Sequence, residues 1–323
     1  DMETQNLTIT PLTTKGTKCY LYFDEESSVA ETLLANYPMQ LTRSDFSTVV
    51  TNTTTGTIYY ADTSKGRTYY FAGNPTDNWV YFGGFYWRII RINEDGTIRM
   101  IYQGTSANTT GTGTQIGVSA FNSDYNDNMY VGYMYQNNQL HGLTSSSSIK
   151  GVLDEWYQNN LISAADKIDG NAGFCGDRIP TNGTGLGMTY TEYAAYSRLD
   201  ENEMPSFECQ NESDLYTTNG SIIGNGALMY PISLITIDEA WYAGGVMGKV
   251  NRGYYLYTYE DYWTISPSWF NGTTANVLFV SSIGNLLNWD VDGSYGVRPV
   301  INLKANITIS SGNGTASSPY IVN

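Results

Sequence analysis

Side chains that could carry acid–base or nucleophilic chemistry are few in this sequence. The 323 residues include one histidine, His141, and three cysteines, Cys19, Cys175 and Cys209. These residues leave little material for a zinc centre, a haem ligand set or a catalytic triad built on histidine. His141 lies in a polar segment far from the cysteines in sequence, and we expect its side chain to be exposed.

Carboxylates are more numerous, but their spacing does not indicate a hydrolase. Glycoside hydrolysis needs two carboxyl groups about 5–9 Å apart across a cleft. The pairs Asp238–Glu239 and Glu260–Asp261 are instead neighbours in the sequence. The first pair is explained by the first turn of a helix, where negative side chains complement the helix dipole. We therefore predict that the protein is not an enzyme.

Composition indicates where the protein works and which partners it avoids. Lys and Arg number 16 against 31 Asp and Glu, a net charge of −15 at pH 7, and such a field repels nucleic acid. Low charge content with 28 Tyr and many Asn and Thr is typical of bacterial extracellular or cell-surface proteins. No apolar stretch approaches the roughly 18–20 residues that span a bilayer, so we expect membrane contact only through an anchor outside this sequence.

Three capped segments predict helices. A capping box at Ser28 and Glu31 predicts a helix over residues 28–37. Ser148 caps a second helix, and another capping box at Thr236 predicts a third, shorter one. The apolar residues of the second helix share one stripe, namely Val152, Leu153, Trp156, Tyr157 and Leu161.

Short strands with long loops predict the rest of the architecture. Five apolar runs lie between residues 57 and 102, and Asp95 with Gly96 supplies a hairpin turn between the last two. A second group of runs lies at residues 253–257, 262–265, 275–281, 288–291 and 297–303. Two main helices among short antiparallel strands predict an α+β fold. A boundary near residue 50 separates an arm and helix (1–50) from the main domain (51–323).

Several blocks of sequence together resemble a known group of proteins. They are Tyr86-Trp-Arg-Ile-Ile-Arg-Ile, Phe174-Cys-Gly-Asp-Arg, Pro231-Ile-Ser-Leu-Ile-Thr-Ile-Asp-Glu, Tyr262-Trp-Thr-Ile-Ser-Pro, and Gly296-Val-Arg-Pro-Val-Ile-Asn-Leu-Lys. The combination resembles a family of gut Firmicutes surface proteins with a C-type-lectin-like fold. That family is in turn similar to formylglycine-generating-enzyme-type folds and to the variable proteins of diversity-generating retroelements. The resemblance covers about residues 57–320.

The resemblance implies an elaborated C-type lectin-like fold outside the cytoplasm, without naming a ligand. Formylglycine-generating activity needs paired cysteines late in the chain, and no cysteine follows Cys209. In retroelement-diversified lectin folds, the stretch just before the terminal Gly-x-Arg strand displays the ligand surface. That stretch corresponds here to a binding segment within residues 265–300.

Residues of this segment suit recognition, because rigid rings supply contact area and amides supply adaptable hydrogen bonds. We expect the ligand to contact Trp269, Phe270, Phe279, Ser281, Asn285, Leu287, Asn288, Trp289, Asp290, Asp292 and Tyr295. The alternative is that Trp289 and Phe279 are ordinary core aromatics. Aromatic platforms beside Asn and Asp suit a glycan and a protein epitope equally well, so both classes of ligand stay open.

A few residues near this segment are predicted to be structural. Arg298 has five donors and no acceptor, which suits a clamp on backbone carbonyls or on an acid such as Asp238 or Glu239. Val297 and Val300 are expected in the core, and Trp263 lies on a strand that ends in a turn directed by Pro267. Cys175 and Cys209 are plausible disulfide partners, which leaves Cys19 as the odd cysteine unless it pairs with one of them.

Calcium is the one cofactor that the sequence leaves open. Asp290 and Asp292 offer carboxylates at alternate positions, as a calcium loop does, but the bidentate Glu of a helix–loop–helix site is missing. The leading hypothesis is therefore a non-enzymatic, lectin-like surface protein that binds an unknown protein or glycan. The alternative is a structural adhesin or pilus-like subunit that assembles through its N-terminal arm and first helix.

Overall fold

The computed structural model describes residues 27–107 and 110–322. The predictions on the arm before residue 27 and on Cys19 lie outside the described residues. The described helices are α1 (Val29–Asn36), α2 (Ser148–Asn160), α3 (Ala194–Ser197) and α4 (Ile237–Tyr242). Shorter helical turns lie at Thr112–Thr114, Asn128–Val131, Ile162–Lys167, Arg198–Asn202 and Glu212–Asp214.

Twenty short strands make up the rest of the regular structure of the described residues. The first ten are β1 (Met39–Leu41), β2 (Thr57–Thr63), β3 (Gly66–Tyr70), β4 (Trp79–Phe82), β5 (Phe85–Ile92), β6 (Ile98–Gly104), β7 (Val118–Ala120), β8 (Met134–Tyr135), β9 (Ser145–Ser146) and β10 (Phe174–Cys175). The others are β11 (Pro180–Asn182), β12 (Thr191–Tyr193), β13 (Leu215–Tyr216), β14 (Tyr262–Phe270), β15 (Ala275–Val280), β16 (Leu286–Asp290), β17 (Ser294–Gly296), β18 (Val300–Leu303), β19 (Ile309–Ser311) and β20 (Tyr320–Val322). The fold is α+β, mostly sheet with few helices, as predicted.

The two predicted capping boxes are confirmed, and the third predicted cap is wrong by one residue. The Ser28 hydroxyl accepts a hydrogen bond from the Glu31 N–H at 3.2 Å, and the Glu31 carboxylate accepts one from the Ser28 N–H at 2.9 Å. Thr236 and Glu239 make the same reciprocal pair at α4. The cap of α2 is Ser147, one residue before the predicted position. Local capping chemistry is therefore enough to locate all three helix starts to within a residue.

A nine-stranded sheet forms around the β5–β6 hairpin. Its path runs β1-β2-β3-β5-β4-β20-β19, and β6 pairs with the other edge of β5 and with β18. The predicted Asp-Gly turn is confirmed: Gly96 has φ +82°, a conformation that glycine adopts without steric cost. The Asn93 N–H bonds the Thr97 carbonyl at 2.9 Å across this turn.

A seven-stranded sheet carries the segment predicted to bind a ligand. Its path runs β11-β12-β14-β15-β16, and β17 joins β14 to β7. The prediction of a turn at Pro267 is wrong, because β14 continues through that residue to Phe270. Pro267 lies opposite Val277 where the register shifts. Such an irregularity tolerates proline, which has no N–H to give to the ladder.

Two further strand predictions are wrong in extent. Residues 253–257 form turns, in which the Tyr257 N–H bonds the Tyr254 carbonyl at 3.1 Å. The last predicted strand begins at Val300 and not at Val297, although both valines are fully buried as predicted. In both stretches the apolar residues fill the core without forming a ladder, so hydrophobicity alone does not separate a buried turn from a buried strand.

One hydrophobic core joins the two sheets and the helices. Trp87 from the first sheet, Trp263 from the second and Trp241 from α4 are all fully buried in it. Val29 and Leu33 of α1 belong to the same core, and β1 pairs with β2 of the main sheet. The described part of the N-terminal segment is thus packed against the body.

Arg298 connects the two sheets from the inside of this core. Its side chain is fully buried and donates to the Tyr102 carbonyl at 3.1 Å, to the Leu256 carbonyl at 3.3 Å and to the Gln103 side chain at 2.7 Å. The guanidinium lies 4.6 Å from the ring centroid of Tyr262. The predicted clamp on carbonyls is confirmed, and the alternative of an acid partner is wrong. Burial lowers the pKa of Arg298 below its usual value.

Replacing Arg298 by methionine tests this clamp. Arg298→Met keeps the apolar stem but removes the guanidinium donors of the buried Tyr102 carbonyl and one of the two donors of the Leu256 carbonyl, which keeps its bond from the Tyr262 hydroxyl. We therefore expect a loss of about 2–3 kcal/mol in the free energy of unfolding, measured by urea denaturation. Arg67→Met, which removes an exposed ion pair with Asp62, is the control and is expected to leave the urea midpoint unchanged. Equal effects of the two changes would contradict a clamp.

Candidate functional site

The eleven residues predicted to contact a ligand differ widely in exposure. Phe270, Phe279, Ser281 and Asn285 are buried, while Trp289 and Asp292 are exposed. The remaining members are half-buried, namely Trp269, Leu287, Asn288, Asp290 and Tyr295. Ser281 and Asn285 shape the turn between β15 and β16, where the Ser281 N–H bonds the Asn285 carbonyl at 2.8 Å. The four buried residues are core and turn positions, where a ligand does not reach them.

Strand alternation divides the accessible residues between the two faces of the sheet. In β16, which pairs with β15 without a register shift, Leu287 lies opposite Phe279 and Trp289 opposite Val277. Asn288 and Asp290 point to the other face, opposite Leu278 and Asn276. The predicted segment therefore supplies two separate surfaces at the edge of this sheet.

The first surface, which we call the Trp289 face, consists of Leu287, Trp289 and Tyr295 over buried aromatic rings. Tyr295 lies 4.7 Å from Phe279 and 4.8 Å from Trp263, measured between ring centroids. Trp289 itself is 53% exposed. Burial and the nearby acids Asp261 and Asp290 raise the pKa of Tyr295 to about 12. The exposed indole thus lies on the same face of the sheet as this buried aromatic cluster.

The absence of a side chain at Gly293 leaves room for the edge of the Trp289 ring. A Cβ atom built on Gly293 would lie 2.7 Å from Cδ1 of Trp289 and 3.2 Å from its Nε1. The edge of the indole therefore lies against the glycine backbone, in space that any other residue would fill. The turn is closed by a hydrogen bond from the Gly293 N–H to the Asp290 carbonyl at 3.0 Å.

The second surface is a row of side chains across four strands. Glu192 of β12 pairs with Trp269 of β14, Trp269 with Asn276 of β15, and Asn276 with Asp290 of β16. The Trp269 ring meets Tyr196 edge to face, with centroids 4.7 Å apart. Burial and the Asp200 carboxylate raise the pKa of Tyr196 to about 12. This face therefore combines one aromatic pair with carboxylates and amides.

Metal ligands are not gathered at either surface. In the described part of the chain, no group of three or more His, Cys, Asp or Glu residues is placed to hold a metal ion. Asp290 is half-buried and Asp292 exposed in the turn after β16. Calcium at this turn stays a prediction.

A charged cavity that the sequence did not indicate lies beside the disulfide. Cys175 and Cys209 are bonded, with their Cα atoms 5.5 Å apart, which confirms the predicted pair. Both line a cavity of about 310 Å³. Its wall also includes Arg91 and Arg99 from the β5–β6 hairpin and Glu239 from α4. We call it the disulfide cavity.

Glu239 holds two arginines on one side of the disulfide cavity. Its Oε1 lies 2.6 Å from Nε of Arg99 and 3.0 Å from Nε of Arg91, while Oε2 accepts from the Thr236 N–H at 3.0 Å. Burial opposes ionisation, but the two guanidinium groups outweigh it and hold the pKa of Glu239 below its usual value. Burial lowers the pKa of Arg99 to about 10.

Arg198 binds two carboxylates on another part of the cavity wall. Its Nε and Nη2 donate to the two oxygens of Asp238 at 3.0 and 2.8 Å, and Nη2 also bonds Asp177. Burial raises the pKa of Asp177, which the nearby Asp238 carboxylate also favours, although Arg198 opposes it. The Arg198 guanidinium thus forms ion pairs with both Asp177 and Asp238.

His141 is not the exposed residue that the sequence predicts. It is half-buried, and its Nδ1 lies 2.9 Å from Oδ1 of the fully buried Asp214. Its Nε2 lies 3.1 Å from the Asn211 amide. Asp214 also accepts from the Arg178 backbone N–H at 2.7 Å and from its Nε at 3.0 Å. Because both ring nitrogens are engaged, the imidazole braces a loop.

Sequence signals for the disulfide cavity exist but are indirect. The capping box at Thr236 predicts the helix that forms one part of the cavity wall, and the two cysteines predict the disulfide that forms another part. Arg91 and Arg99 flank the predicted hairpin turn, which brings them together across two strands. Nothing in the spacing of these segments shows that they meet, because residues 91 and 239 are far apart along the chain.

Comparison with protein-family models, with curated proteins and with solved structures finds no match to this chain. Among the described helices, none has both the length and the apolar character needed to cross a membrane. The fold and the two candidate sites describe an α+β protein that has aromatic residues at one sheet edge and a cavity lined by charged residues.

The disulfide is expected to contribute measurably to stability. Cys175 and Cys209 are 34 residues apart, and closing a loop of that length constrains the unfolded chain by about 3–4 kcal/mol. The double variant Cys175→Ser, Cys209→Ser should lose about that much in urea denaturation without reductant. Adding reductant should lower the wild type toward the variant and leave the variant unchanged. A wild type that reductant does not affect would contradict the expectation.

Glu239 is expected to make stability depend on acid pH. A carboxylate whose pKa is lower in the folded state stabilises fully above its unfolded value of about 4.3, and this contribution is lost as pH falls through the folded pKa. Glu239→Gln leaves Arg99 buried without its partner, so we expect a loss of about 3–5 kcal/mol at pH 7. The deficit should shrink at pH 3, measured by urea unfolding, whereas exposed Glu155→Gln should show none. A deficit independent of pH would exclude this role.

Proposed function

We propose that the protein is an extracellular, non-enzymatic binding protein of a bacterial cell surface, with an elaborated C-type lectin-like fold. Its ligand is a protein or a glycan that docks on the Trp289 face. The segment at residues 265–300 is then the stretch that a diversity-generating retroelement would vary.

The observation that carries this proposal is the exposure of Trp289 on an ordered strand. A large ring that is half in solvent forgoes part of its hydrophobic stabilisation, and exposed aromatic patches commonly mark interaction sites. Trp289 is placed between β15 and the glycine backbone at residue 293, so the ring is positioned before a ligand arrives. Pre-positioned aromatics lower the entropic cost of binding.

The fold resemblance supports the proposal through the position of the terminal strand. Arg298 anchors the chain directly after β17, and the Trp289 face lies directly before it. This is the order in which the lectin-like variable proteins place their display segment and their Gly-x-Arg strand. The alternative of an assembling adhesin draws no support from α1, because Val29, Ala30 and Leu33 are already buried in the core.

Two substitutions on the Trp289 face test the proposal. Trp289→Ala removes the ring, and Gly293→Ala keeps the ring but displaces it, since the new Cβ would lie 2.7 Å from Cδ1. Both should weaken binding at least about tenfold on arrays of purified glycans and protein ectodomains, as expected for a central aromatic contact. Ile222→Ala, which truncates a side chain that is 97% exposed elsewhere, is the control.

Two results would contradict the proposal. One is a wild-type protein that binds no member of either array. The other is a Trp289→Ala variant whose binding profile equals that of the wild type. Thermal unfolding of each variant separates lost binding from lost folding, since an exposed ring contributes little to stability.

A further inference from the structure

A group of rings and carboxylates on the second surface takes no part in the Trp289 face. It consists of Tyr190, Glu192, Tyr196, Asp200 and Trp269, and we call it the Tyr196 cluster. Tyr190 is 46% exposed and Asp200 is exposed, while the other three residues are half-buried. Every member therefore keeps surface that a ligand can reach.

Direct contacts join the five residues into one group. The Tyr190 hydroxyl donates to Oε1 of Glu192 at 2.6 Å, and the Tyr196 hydroxyl donates to Oδ2 of Asp200 at 3.3 Å. Glu192 lies opposite Trp269 in the β12–β14 ladder, and the Trp269 ring meets the Tyr196 ring edge to face. Three aromatic rings and two carboxylates thus share one place on the surface.

The negative charge of the Tyr196 cluster has no cation bonded to it. Burial, the Asp200 carboxylate and Glu192 raise the pKa of Tyr196 to about 12. The hydrogen bond to Glu192 likewise raises the pKa of Tyr190. Within residues 27–107 and 110–322, no lysine or arginine forms an ion pair with Glu192 or Asp200. Arg198, which is close to them in sequence, is bonded instead to two carboxylates of the disulfide cavity.

Tyr190 is held in position before a ligand arrives. The buried Asn128 donates through Nδ2 to the Thr189 carbonyl at 2.6 Å and to the Gly187 carbonyl at 2.9 Å. A Cβ atom built on Gly183 would lie 2.0 Å from the Tyr190 carbonyl oxygen, so the two backbones pack directly against each other. Aromatic groups that are fixed in advance lower the entropic cost of binding.

Accessible rings beside carboxylates suit an organic cation. A guanidinium group stacks on aromatic faces and donates to carboxylates in a fixed fork, whereas an ammonium group is more strongly hydrated. Oε2 of Glu192 and Oδ1 of Asp200 accept no hydrogen bond from the described residues, so both can accept from a ligand. A neutral sugar would stack on the rings but leave the charge of the carboxylates unbalanced. The net charge of −15 also favours the approach of a basic partner.

We propose that the Tyr196 cluster binds an arginine side chain of a partner protein. The guanidinium lies against the rings of Tyr190 and Tyr196 and donates to Glu192 and Asp200. The Tyr196 cluster and the Trp289 face lie on opposite faces of the seven-stranded sheet, so this contact goes beyond the function proposed above and does not depend on it.

Fluorescence anisotropy of the full chain with a labelled, capped peptide of sequence Gly-Arg-Gly-Arg-Gly tests this proposal. Matched peptides replace both arginines by lysine or by citrulline, which has the shape of arginine without its charge. We expect saturable binding of the arginine peptide. The lysine peptide should bind at least about threefold more weakly and the citrulline peptide at least about tenfold more weakly.

Substitutions locate the contact and separate it from general attraction to an acidic protein. Tyr190→Leu removes one ring, and Glu192→Gln removes one charge but keeps the shape of the side chain. Each should weaken binding of the arginine peptide at least about fivefold. Glu155→Gln removes the same charge from an exposed position on α2, and Trp289→Ala removes the exposed ring of the other face. Both control variants should bind the arginine peptide like the wild type.

Several results would overturn the proposal. The first is no binding of the arginine peptide at protein concentrations up to about 1 mM. The second is a citrulline or lysine peptide that binds as tightly as the arginine peptide. The third is an equal loss of binding in Glu155→Gln and Glu192→Gln, which would show attraction to net charge alone. The last is undiminished binding by a Tyr190→Leu variant whose thermal unfolding matches that of the wild type.

Discussion

A buried guanidinium without an acid partner is the constraint on which the rest of this structure depends. Arg298 takes its acceptors from Tyr102, Gln103 and Leu256, and it lies against the ring of Tyr262. Tyr102 belongs to the nine-stranded sheet and Tyr262 to the seven-stranded sheet, so one side chain contacts both sheets. Removing a partner from such a group leaves unpaired polar atoms in the core, which is costly. Because Arg298 comes directly after β17, this contact anchors the end of the segment that contains β16 and β17.

Three other arginines, in contrast, share carboxylates in this acidic chain. Arg91 and Arg99 share Glu239, while Arg198 is shared between Asp177 and Asp238. Pairing of this kind compensates desolvation only when the geometry is good and the remaining donors are satisfied. In the disulfide cavity that condition is not fully met, since Arg198 has a donor left over.

Features set by short-range chemistry were predictable from the sequence. The capping boxes, the Asp-Gly hairpin turn and the buried Val297 and Val300 each depend on neighbouring residues, and each was found. The path of β14 through Pro267 was not predictable, because the bulge that admits the proline depends on where β15 pairs with it. The disulfide cavity was even less predictable, because its walls come from segments that are more than a hundred residues apart in the sequence. Sequence patterns report local preferences, whereas such a site is made by tertiary packing.

Strand alternation limits which residues of the predicted binding segment can contact one ligand. A run of polar and aromatic residues resembles one surface when read along the chain, yet side chains of a strand alternate between two faces. Leu287 and Trp289 lie on one face, and Asn288 and Asp290 lie on the other. Ser281 and Asn285 close the turn between β15 and β16. This turn positions both faces of β16, so these two residues cannot vary freely. A ligand on the Trp289 face would select every second residue of β16 together with the turn at Asp292, so variation that serves binding should follow that period and spare the residues between.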